Sequence, residues 1–103
     1  MMRLKMKTKV IFKVLEGEVI ALFPELAGTN NPYRDCLSYA HIGQHSAADV
    51  RLASLKAATP AQYYRLQMEL EHTVGYDLEI VTRFSRKMLQ ERIAQCEVQI
   101  VAD

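Results

Sequence analysis

The chain has little cysteine, no long apolar run and almost no net charge, and each shortage removes a class of protein. Two cysteines, Cys36 and Cys96, in 103 residues are too few and too far apart for a disulfide framework or a zinc knuckle, which leaves two reduced, mostly buried thiols. No apolar stretch approaches the roughly 20 residues that a bilayer span needs. The basic start, Met1 to Lys9, is followed by neither a long apolar segment nor a small-residue cleavage site. No secretory leader is therefore expected, and the cytoplasm is the expected location. A formal net charge of +1 argues against a generic nucleic-acid binder. No repeat, low-complexity segment, linker or Gly-rich phosphate loop is visible.

What is present is a globular composition, 50% apolar and 24% charged, in a length that supports one core and one domain over 1–103, with residues 1–5 as a flexible basic start. The charge is unevenly spread. Arg3, Lys5, Lys7, Lys9 and Lys13 open the chain with no acid among them, Glu69, Glu71, Asp77 and Glu79 form an acidic stretch, and Arg83, Arg86, Lys87 and Arg92 form a second basic group.

Residues 6–15 alternate as a strand does, with Met6, Thr8, Val10, Phe12 and Val14 on one face and Lys7, Lys9, Ile11 and Lys13 on the other. Glu16-Gly17-Glu18 makes a tight hairpin connection to Val19–Phe23. This second strand ends at Pro24 and lacks alternation, so it is expected to be central or buried on both faces. Ala27-Gly28-Thr29-Asn30-Asn31-Pro32 is the strongest loop signal. A third strand is expected from Cys36 to Ile42. Ser46-Ala47-Ala48-Asp49 has the look of a helix N-terminus, and Val50–Ala57 fits a short helix and an extended segment equally.

Thr59, Pro60 and Gln62 supply an N-cap, a first-turn proline and the far end of a capping box. They predict a helix with Tyr63, Leu66, Leu70 and Val74 facing the core and Gly75 as its stop. Tyr76–Arg83 then reads as a half-exposed strand with Tyr76, Leu78 and Ile80 inward. Leu89, Ile93, Cys96 and Ile100 repeat at a heptad-like interval, either as a helix packed back on its own sheet or as an association surface. Cys96–Val101 fits helix and strand alike. The expected fold class is α+β: a small antiparallel sheet of three N-terminal strands plus a later strand, with two or more helices packed on one face.

Tyr39, His41, Gln44 and His45 form the one dense group of chemically versatile side chains and are the candidate polar site. His41 and His45 have a helical metal-ligand spacing, but Gly43 between them and the strand before them remove the helix, and no third ligand is evident. Neither a metal nor another cofactor is therefore expected. Histidine can act as acid or base, yet no nucleophile stands out beside it, so an enzyme using this pocket ranks third among the readings. Lys5, Lys7, Lys9 and Lys13 are the candidate basic surface. Such a row can track phosphates or guard an edge strand against pairing. The first reading of function is a small binding or interaction module with a protein partner. A basic-surface nucleic-acid accessory protein is the alternative. The sequence sets neither partner identity nor oligomeric state.

Several segments together resemble a group of small, uncharacterised bacterial and phage-borne proteins. They are Met6-Lys7-Thr8-Lys9-Val10-Ile11-Phe12, Ile20-Ala21-Leu22-Phe23-Pro24-Glu25, Tyr39 with His41 and Gly43-Gln44-His45, Ala58-Thr59-Pro60 with Tyr63 and Leu66, Glu69-Leu70, and Gly75-Tyr76-Asp77-Leu78. The resemblance covers roughly Met6 to Arg83 and carries no activity. It implies one compact domain and an accessory role in a mobile element or phage.

Overall fold

Strand β1, Thr8–Leu15, sets the two faces of a five-stranded sheet. The computed structural model describes residues 7–40 and 44–102, apart from the side chains of residues 44 and 97–102. The alternation of β1 is as the sequence predicts. Val10 and Phe12 enter one cluster with Ala21, Phe23, Tyr39, Leu66, Leu70 and Leu78, while Ile11 enters another with Leu22, Cys36 and Ala48. The sheet is thus apolar on both faces at its centre. This explains why β2, Glu18–Phe23, ends in a non-alternating run: Ala21, Leu22 and Phe23 are all fully buried. Burying a side chain as large as Phe23 contributes about 1.5–3 kcal/mol.

Glu16 and Gly17, at φ 52° and 84°, form a two-residue turn whose twist matches that of the flanking strands. β2 pairs antiparallel with β3, Asp35–Ala40, and β3 with β4, Gln44–Asp49. The strand order is β4-β3-β2-β1-β5. The expected helix start at Ser46–Asp49 is therefore corrected to a strand. A cap is found three residues after Ser46. Asp49 accepts a hydrogen bond from the Arg51 amide and opens a 3₁₀ turn, Val50–Ser54. Pairing with β3 along all six residues outweighs the local preference of two alanines for helix.

The later strand is shorter than expected. β5, Leu78–Ile80, runs parallel to the first half of β1, and Ile80 is exposed rather than inward. The second half of β1 pairs with Lys56–Ala58: the Val14 amide donates to the Lys56 carbonyl, and the Ala58 amide to that of Phe12. Strand β1 is thus an inner strand along most of its length, so its lysines do not guard a sheet edge.

Helix α1, Pro60–Met68, begins where the sequence places it, with both halves of the Thr59/Gln62 capping box formed. Leu66 and Leu70 are buried against Phe12 and Phe23, and the Tyr63 ring stacks on Phe12 at 4.4 Å. The last turn, Glu69–Val74, widens to i→i+5 hydrogen bonding before Gly75, at φ 104°, ends it. A wider turn rotates Val74 off the core face, and it is 38% exposed.

Helix α2, Arg86–Ala102, starts with its Met88 amide held by the Ser85 hydroxyl. It stays helical through Cys96–Val101. Its buried side is Met88, Arg92 and Cys96; of the expected stripe Cys96 is buried, Leu89 and Ile93 are half-buried, and the side chain of Ile100 lies outside the described residues. It packs on the loop between β2 and β3. The Gln95 side chain accepts from the Ala27 amide, and Arg92 reaches the carbonyls of Pro24 and Pro32.

Candidate functional site

Two features stand out: a polar and aromatic cluster where the sequence placed one, and a groove that it did not foresee. The cluster follows from register. Tyr39 and His45 are directly opposed on β3 and β4, so their rings share a face and meet edge-on at 4.9 Å. The widened turn after α1 and the chain beyond Gly75 bring two further residues to them. The Tyr39 hydroxyl donates to the Glu69 carboxylate at 2.5 Å, and His45 Nε2 shares a hydrogen bond with the Tyr76 hydroxyl at 2.8 Å. Tyr76 also stacks on Phe23 at 4.9 Å.

The bond to Glu69, and then burial, hold the Tyr39 phenol above its ordinary pKa, and burial raises that of Tyr76. The phenols are thus neutral near pH 7 and engaged with partners inside the protein. The arrangement locks the end of β4 onto the turn after α1. Of the predicted residues, Tyr39 and His45 converge. Gln44 is placed only by its backbone, opposite Ala40, and His41 lies outside the described residues. Glu69, from the acidic stretch, and Tyr76 complete the cluster. Among the described residues, no three His, Cys, Asp or Glu side chains gather as a metal would require.

The lysine row does not stay together as a free cationic surface. Lys5 lies outside the described residues and Lys7 is exposed. Lys9 Nζ sits 3.4 Å from Glu25 and 3.9 Å from Glu79. Lys13 is 7% exposed, packed on the face that also carries Ile11. Its place in the predicted basic surface is therefore corrected: it is a buried residue on an inner stretch of strand flanked by β2 and Lys56–Ala58.

The groove has a volume of about 630 Å³ and lies between α2 and the segments facing it. Helix α2 contributes Arg86, Leu89 and Ile93. The 3₁₀ turn contributes Val50 and Ala53, the β2–β3 loop contributes Tyr33, and Phe84 lies beside them. Leu89 and Ile93 are only half-buried and Tyr33 is 67% exposed, so mostly apolar surface faces solvent here.

Its base is fixed by Arg92. This side chain is 3% exposed, donates Nε–H to the Pro32 carbonyl at 2.9 Å and Nη1–H to the Pro24 carbonyl, and lies 5.6 Å from the centre of the Phe84 ring. Burial lowers the guanidinium pKa from its ordinary value, yet arginine remains charged at any physiological pH. Desolvation pushes the neighbouring Cys36 thiol up to about 11, which makes it unreactive. The signal that could have pointed to Arg92 is its place four residues from both Met88 and Cys96, in the middle of a buried stripe. No family model matches the sequence, and comparison with curated proteins and with solved structures gives no match either.

Proposed function

We propose that the protein is a small cytoplasmic protein-binding module and that the groove along α2 is its docking face. One observation carries this reading. Leu89 and Ile93, half of the heptad-like stripe of α2, are not spent on the core, because Met88, Arg92 and Cys96 take the buried side and leave them beside an exposed Tyr33. Aromatic, aliphatic and arginine side chains around one concavity are the composition of an interface centre. The groove is open, whereas small-molecule sites enclose most of their ligand. The nucleic-acid reading has less support, since Lys9 is ion-paired and Lys13 is buried. An accessory role in a mobile element or phage accords with a module of this kind and rests on the sequence resemblance.

The test is site-directed photo-crosslinking in the organism that carries the protein, with a photoreactive phenylalanine in place of Tyr33. A single protein adduct should form from position 33, should disappear with Ile93→Glu, and should not form from the exposed position Thr73 on the widened turn. Equal labelling from both positions would reject the groove as the docking face.

A further inference from the structure

We infer that the segment this groove accepts is an amphipathic protein helix whose acidic end lies over the first turn of α2; this rests on the docking reading above. The walls decide the backbone state of the guest. Most of the lining comes from α2 and a 3₁₀ turn, where the peptide groups beyond the first turn are committed to their own hydrogen bonds; Tyr33, Phe84 and Ser85 add loop residues, and the sheet edge at β4 does not line the groove. An extended guest would find no strand edge to pair with here and would bury unpaired amides. A helix brings its own hydrogen bonds and presents side chains only. Leu89 and Ile93, one helical turn apart, form a ridge against which such a helix packs.

Charge sets its chemistry and direction. Arg83, Arg86 and Lys87 are exposed and have no carboxylate partner among the described residues. Two other arginines are already satisfied: Arg34 by Asp35 at 2.9 Å and Arg51 by Asp49 at 3.0 Å. Arg86 and Lys87 also stand in a first turn that contains no acid, at the helix end where cations are disfavoured. Carboxylates from a guest would relieve both conditions, and Arg86 lines the groove itself.

The experiment is selection of a displayed library of helical peptides on the whole protein, with affinities of the winners measured on variants checked for folding by circular dichroism. Winners should carry apolar residues at helical spacing and Asp or Glu at one end. The variant Arg83→Gln/Arg86→Gln/Lys87→Gln should weaken them by about two- to fivefold per charge and flatten their salt dependence, as rim ion pairs do. Winners without acidic bias, or unaffected by the triple variant yet weakened by Tyr33→Ala, would overturn the acidic-helix inference and leave the groove reading standing. Winners indifferent to both Tyr33→Ala and Leu89→Glu would overturn both, and the exposed Tyr33 keeps that arm independent of folding. No enrichment over a blank selection counts against the inference. A labelled DNA duplex that binds, competes with the peptides and is lost in the triple variant would assign the basic rim to nucleic acid instead.

Discussion

Replacing Arg92 by Met tests whether α2 is held to the sheet by one polar plug. Methionine matches the length and fills the space, but it cannot donate. The carbonyls of Pro24 and Pro32, both on buried residues, would lose their donors at about 1–3 kcal/mol each. The contact with the Phe84 ring adds about 0.5–2 kcal/mol. Against this stands the desolvation of the guanidinium, several kcal/mol for a buried ion, which the variant no longer bears. The expected net loss is about 2–3 kcal/mol, a large share of the roughly 5–15 kcal/mol of a typical domain.

In equilibrium urea unfolding the midpoint should fall by about 1–2 M. Hydrogen exchange should rise selectively in α2 and in residues 24–32, the segments the plug joins. Arg92→Lys should not rescue the protein, because an ammonium lacks the planar fork that reaches two separate carbonyls. The exposed Arg86→Met should change stability by no more than about 0.5 kcal/mol. Midpoints for Arg92→Met and Arg92→Lys equal to the wild type would refute the plug.

The other predictions test separate parts of the argument. A Cβ at Gly28 would meet the Cys36 carbonyl oxygen at 2.5 Å and the Ala47 Cα at 3.0 Å, both backbone, so Gly28→Ala should destabilise by about 1–3 kcal/mol or more; an unchanged thermal midpoint would mean that the loop does not rest on β3 and β4. Thr59→Ala removes one half of a formed capping box and should cost about 1 kcal/mol by chemical denaturation, where a null result would deny the helix its start there. The pKa values of Cys36, Tyr39 and Tyr76 are all raised in the folded state. Their contribution is complete below the unfolded values and is lost as pH rises through the folded ones, for Cys36 from 9.0 to about 11. Stability should therefore fall on the alkaline side, and Cys36→Ala and Tyr39→Phe should each flatten that limb in urea titrations at stepped pH. A limb of the same slope in both variants would contradict the assignment.

What the sequence determined by itself was local. The alternation of β1, the hairpin at Glu16–Gly17, the buried run at Ala21–Phe23 and the capped start of α1 each depend on interactions a few residues long, and each is found where its pattern lies. The grouping of Tyr39 with His45 was half legible, because the two lie only six residues apart in the chain, but their direct opposition on paired strands was not.

Tertiary structure decided the rest. Residues 44–49 form a strand because β3 offers them a full ladder, which no reading of two alanines and an Asp reveals. Segments β5 and Lys56–Ala58 are assigned to the two halves of β1 by contacts that span tens of residues. The turn after α1 widens and delivers Glu69 to Tyr39, and Arg92 is drawn inward by two carbonyls some 60 residues distant in the chain. An arginine on a helix is read from sequence as a solvated charge. Only the folded chain supplies the acceptors that make its burial favourable, and that choice of buried side is what leaves Leu89 and Ile93 facing the groove.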